Sequence, residues 1–248
     1  MEKDLADNIY NNLMNLFFEP EIRDRKKQGL IGEDFKLLAA QALFFPDGKP
    51  QIIRLNEEVS IQVKLKKGVD GTVDGFWPSK HEVEYIRPNE EQYLNCGHVT
   101  LLLLKDTYQL TFDFQYNKKA CEEHLKVAGQ FLATSKYALE NNHFVAFIDN
   151  SFSTIELLAK IDLLLATDKN VSGKTNHKAI QSAFNRRHKK PFSEFEQIQR
   201  DIFNKLFTAR NKVRYLHGTV IMDSDEMLGI YRALREMFDN LSKRLSFE

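Results

Sequence analysis

The stretch ARNKVRYLHG, residues 209–218, sets two arginines, an asparagine and a histidine inside two turns of a segment patterned as a helix. Positions seven apart on a helix of 3.6 residues per turn fall within about 20° of each other, so Phe203, Arg210 and His217 lie on one line. Arg214 falls beside that line, and Leu206 flanks it one turn earlier. An apolar stripe suited to packing thus turns cationic over its last two turns. An unpaired guanidinium is costly to bury, so this face must meet a carboxylate, an anion or water. Histidine titrates near neutral pH and can take or give a proton, while arginine stays charged and can grip two phosphate oxygens together. The same residues also suit an ordinary helix end, where cations complement the dipole and His-Gly closes the last turn.

The elements that must position these groups fall into three zones. Residues 4–18 carry Leu5, Ile9, Leu13, Leu16 and Phe17 at helical spacing, which predicts a leading amphipathic helix ending before Pro20. From about 35 to 117 the period becomes two. ALFFPDGKPQIIRL reads as two strands around a Pro-Asp-Gly turn, VSIQVKL as a strand with one wet face, and HVTLLLL with YQLTFDFQY as a further pair. VTLLLL, apolar on both faces, reads as a central strand. The glycine-rich KGVDGTVDGFWPSK reads as a loop, whose Phe76 and Trp77 either stack on bases or anchor the sheet edge. From Lys118 onward helices are expected at 118–140, 143–167, 176–188, 193–217 and 224–245, the last capped by Asp223 with Glu226 three residues on. The expected fold is α+β: a mainly β domain over 1–117 with a leading helix, and an antiparallel helical bundle over 118–248.

Bulk properties exclude several classes. With 35 Lys and Arg against 35 Asp and Glu, the formal net charge is zero, so any nucleic-acid binding must rest on a local patch. Cys96 and Cys121 are far apart and lack a CxxC partner, which favours two thiols in a reducing compartment over a disulfide. MEKDLADNIYNNL has no apolar signal-peptide core, and the apolar runs are too short to span a bilayer; no membrane association and a cytoplasmic location are expected. SGKT at 172–175 is not a phosphate-binding loop, because Asp168 stands where its first glycine belongs. The histidines at 81, 98, 124, 143, 177 and 188 show no metal-ligand spacing and read as surface or capping residues, so neither metal nor cofactor is expected.

The helical half resembles the HEPN superfamily. Arg210 and His217, with six residues between them and Asn211 directly after the arginine, match its Arg-x(4–6)-His motif on the fourth helix of the bundle. The preceding hairpin, HLKVAGQFLATSKYALENNHFVAFIDNSFSTIELLAKIDLLL, is similar to the family's opening helices, and the likeness covers roughly 118–248. The resemblance implies a metal-independent endoribonuclease that acts on RNA through its 2′-OH, commonly a toxin or phage-defence effector. It also implies a homodimer whose motif helices face each other, since one histidine per chain does not easily serve both proton transfers. On this reading His217 is the acid/base, Arg210 the phosphate clamp and Asn211 an orienting group. Arg214 is a second cation, added on geometry.

Other residues join as expectations of their own. Glu156 either orients Arg210 or is a surface carboxylate. In NRRHKK, Arg186, Arg187 and Lys189 either hold RNA backbone or form a solvated helix end. Residues 1–117 are assigned sensing or target selection on architecture alone, leaving room for a regulatory protein partner. The rivals to the nuclease are a non-catalytic HEPN-like binding module and a helical half that only dimerises.

Overall fold

Two periods, two in the first half of the chain and 3.6 in the second, become two bodies. The computed structural model describes residues 2–73, 75–105, 107–167, 176–191, 193–215, 220 and 222–246. The chain is α+β and divides into two units, Met1–Tyr116 and Asn117–Glu248. Among the described residues no helix is long and apolar enough to cross a membrane.

The first unit opens with α1 (Glu2–Leu13), a π-helical turn (Met14–Phe18) and α2 (Glu19–Lys27). The expected stop at Pro20 is therefore corrected: helix continues through it. Pro20 follows directly on the π turn, whose wider ladder accommodates a residue without an N–H. The strands are β1 (Ala39–Phe44), β2 (Ile52–Leu55), β3 (Ile61–Leu65), β4 (Val83–Pro88), β5 (Gly97–Leu103) and β6 (Tyr108–Asp113). They form a four-stranded antiparallel sheet in the order β2-β1-β5-β6 and a separate β3-β4 ribbon. Gly48, at φ +76°, closes the turn between β1 and β2 in a conformation that side-chain-bearing residues avoid.

The layering explains the doubly apolar run VTLLLL. Val99 and Leu101 pack with Phe18, Ala40, Ala42 and Leu55 in a core that Leu13, Met14, Phe17 and Ile22 of the leading helices join. Leu102 points the other way, into a second core with Ala39, Leu104 and Ile86, against Ile61, Val63 and Val83 of the ribbon. β5 is thus central and covered on both faces. Trp77, half-exposed, donates its indole N–H to the carbonyl of Leu103 at 2.8 Å, which ties its loop to the end of β5.

The second unit contains α3 (Lys118–Glu140), α4 (Phe144–Leu165), α5 (His177–Arg187), α6 (Glu194–Tyr215) and α7 (Ser224–Leu245). α4 is buried nearly all round, with Phe147, Ile148, Phe152, Ile155, Leu158 and Ile161 inside one core to which the other four helices contribute. A helix whose apolar residues run most of the way round belongs at the centre of a bundle. Across the α3–α4 hairpin the buried hydroxyls of Ser135 and Ser151 bond at 2.6 Å, so neither is left unsatisfied. Asn176 caps α5 by accepting from the Ala179 N–H, and Asp223 caps α7 by accepting from Glu226. Cys96 and Cys121 are both buried thiols, not joined in a disulfide.

Candidate functional site

α6 carries its apolar stripe through Phe203, Leu206 and Ala209, all buried, and the stripe ends on Arg210 and Arg214. Both guanidiniums reach one carboxylate, Asp149 of α4. Arg210 donates from Nε to Oδ1 at 3.0 Å. Arg214 lies against both oxygens, with Nη2 donating to Oδ2 at 3.1 Å and Nε 2.9 Å from Oδ1. The Arg210 guanidinium also stacks over the Phe152 ring, with Cζ 4.5 Å from the centroid, where the ring's negative face attracts it. Packing against Phe152 and Asp149 leaves the Arg210 side chain 11% exposed, whereas that of Arg214 is 48% exposed.

The carboxylate that holds Arg210 is Asp149, not Glu156, for which orienting Arg210 is one of the two roles left open by the sequence. Glu156 sits seven residues further along the same face of α4, about two turns or 10 Å away, and is bonded to Nδ1 of His177 instead. Phe152 lies between these two polar pairs. The His177 ring meets it edge-on at 5.7 Å between centroids, and Phe203 and Phe207 pack against it as well. One buried ring therefore separates an arginine pair from a carboxylate-bound imidazole. The signal in the sequence is the i, i+3, i+7 row Asp149, Phe152, Glu156 along one face of α4.

An open cleft of about 660 Å³ adjoins this cluster, bordered by Phe144, Val145, Asp149, Asn150 and Arg214. It lies over the first turns of α4, where the helix presents the positive end of its dipole. Two guanidiniums against one carboxylate leave excess positive charge at its edge. Asn211 is exposed, about 100° around α6 from Arg210, and its side chain makes no hydrogen bond among the described residues, so it does not join the cluster. His217 lies outside the described residues, as do the last two residues of the expected 193–217 helix and the SGKT segment.

The basic run NRRHKK divides. Arg187 donates from Nε to Asp162 at 2.9 Å, and His188, expected at the surface, is buried with Nε2 3.2 Å from the same oxygen. His188 stacks on Phe184 at 4.4 Å, and Arg244 of α7 donates to the other Asp162 oxygen at 3.2 Å. Arg187 thus ties α5 to α4 while its side chain stays 40% exposed; Arg186 and Lys189 are exposed. Burial alone would raise the Asp162 carboxyl, but the His188 hydrogen bond and the charges of Arg187 and Arg244 outweigh it and bring its pKa to about 2. His98 is likewise buried, beside Thr100 on β5, and not at the surface.

No family model matches the chain, and no curated protein or solved structure matches it significantly.

Proposed function

We propose that the helical unit is a metal-independent endoribonuclease of HEPN type that works as a homodimer, with RNA as its substrate. The observation that carries this reading is the convergence of Arg210 and Arg214 on the single carboxylate of Asp149, beside an open cleft. That arrangement keeps a surplus of positive charge where a phosphodiester can approach. Arg214, half-exposed and on the cleft wall, is the first to meet a phosphate; Arg210, held by Phe152 and Asp149, supplies fixed charge behind it. Preorganised cations favour the extra charge that develops on phosphorus as the ribose 2′-oxygen attacks. His217 carries a proton in this scheme. A toxin or phage-defence setting follows from the resemblance in the motif alone, and sensing or target selection by residues 1–117 from the two-unit architecture.

A second reading has an observation of its own. Arg210 is nearly enclosed and paired, which suits a non-catalytic module in which the motif arginine is a strut. The two readings separate on one assay. In chelator, the wild-type protein cleaves single-stranded RNA and His217→Ala loses cleavage while keeping its fold and dimer; equal rates for both proteins would end the nuclease reading. Arg214→Ala should also lower the slope of log binding constant against log salt by about 0.7, the share of one phosphate contact on a single strand.

A further inference from the structure

We infer that the first unit holds a small-molecule site of its own, a cavity beside the β3–β4 ribbon that takes an uncharged aromatic ligand. The cavity measures about 410 Å³, toward the lower end of the range for small-molecule sites, about 300–1,000 Å³. Alternation along β3 puts Ile61, Val63 and Leu65 on one side of the strand, and all three line the space. Leu102 of the central strand β5 lines it from the sheet, and Phe76 and Trp77 line it from the glycine-rich loop.

Ile61, Val63 and Leu102 also belong to the second core of this unit, so the space is a gap beside that core. Interiors ordinarily close-pack, and an unfilled void weakens them. Water is a poor filler, because a buried water needs about two to four polar partners. The two polar side chains on the lining are already engaged. Asn56 accepts from the N–H groups of Leu38 and Ala39 at 2.8 and 3.2 Å and donates to the Lys36 carbonyl at 2.9 Å. Trp77 donates to the Leu103 carbonyl. Among the described residues no charged side chain lines the cavity. The part of a ligand that enters is therefore uncharged and held by apolar contact, since a charge there would go unpaired.

The aromatic class follows from the loop. The Trp77 ring is 50% exposed, yet its N–H bond to β5 holds it at the cavity. A large apolar ring fixed by its polar edge is preorganised to pack on another ring, which adds to the gain from burial alone. Gly71 borders the same space, and a Cβ on it would stand 2.6 Å from Cδ1 of Leu65, so a side chain there would crowd the wall.

Trp77 is the only tryptophan of the chain and serves as the reporter. The probe is N-phenylnaphthylamine, an uncharged aromatic dye that brightens in apolar surroundings, titrated into the full chain. Binding should saturate, with Trp77 emission falling as dye emission rises. Anilinonaphthalene sulfonate, the same ring system bearing a charge, should bind about tenfold more weakly, because the cavity gives the sulfonate no partner. Val63→Phe and Gly71→Leu fill the cavity from a strand and from the loop. Each should weaken the uncharged dye by about tenfold while circular dichroism stays unchanged. Should Val63→Phe fail to fold, Gly71→Leu decides alone. Uptake that does not saturate, equal affinity for the two dyes, or wild-type affinity in folded Gly71→Leu overturns the inference. RNA cleavage is read on the other unit, so this outcome and that of the nuclease reading are independent.

Discussion

At the scale of single residues, the cluster on α4 and α6 is an exercise in unequal charge. Arg210 and Arg214 are four apart on one helix and repel, and Asp149 offsets both. Asp149→Asn should therefore destabilise the fold. Breaking a fully buried pair costs about 3–5 kcal/mol, but Asp149 and Arg214 are partly solvated, which reduces the expectation to about 1–3 kcal/mol, readable from urea unfolding. A loss below a few tenths would show that water already screens the cluster. Cys121 poses a different residue-scale question. Burial pushes its thiol up to about 12, so in a Cys96→Ser background it should ignore a thiol reagent at pH 8 until the chain is unfolded. Rapid native-state labelling would contradict its enclosure. The cationic end of the α6 stripe was legible in the sequence, because seven-residue spacing fixes direction on a helix. Its carboxylate partner was not. Asp149 and Glu156 point the same way from α4, and which of them stands level with Arg210 depends on the axial offset between two helices, a property of packing that neither segment encodes alone.

At the scale of elements, helix existence was the most readable feature and strand pairing the least. Long 3.6-period stripes gave α3 through α7 within a few residues of their ends, since caps such as Asp223 mark where the ladder stops. β4 escaped because VEYIRP ends in proline and is defined by its partner β3 and not by a strong alternation of its own. Two predictions belong here. Asp162 joins α4 to α5 through Arg187 and to α7 through Arg244, with the buried His188 on the same oxygen. Its folded pKa, about 2, lies below the unfolded value. The stability it contributes is thus fully present above the unfolded pKa and fades as pH falls from about 5 through 2, amounting to roughly 2 kcal/mol. The stability-versus-pH curve of Asp162→Asn should lack that share of the acid slope; a parallel curve would rule the linkage out. Gly229, in the middle of α7, faces open space where a Cβ would stand. Gly229→Ala should raise stability by about 0.5–1 kcal/mol by removing backbone entropy from the unfolded chain, measured as a shift in the urea midpoint.

At the scale of the molecule, the cores do not mix. Every buried residue in the helical core, from Cys121 to Leu245, belongs to Asn117–Glu248, and the two cores around the sheet draw only on Met1–Tyr116. Cooperative unfolding requires a core that is closed on itself, and a body of about half this chain is large enough to bury one. The central helix α4 places Phe147, Ile148, Phe152, Ile155, Leu158 and Ile161 in a core built with helices of its own unit. A fragment of residues 117–248 should therefore fold alone, with helical circular dichroism and a single urea transition whose m-value lies at roughly 1–3 kcal/mol/M, the range for a small cooperative domain. The same fragment holds Asp149, Phe152, Arg210 and Arg214, so any RNA cleavage found in the full chain should persist in it. A fragment that binds a hydrophobic dye and melts without a cooperative step would show that the helical unit needs residues 1–116 to complete its structure. Cleavage lost from a well-folded fragment would instead move part of the chemistry, or of the RNA grip, to the first unit.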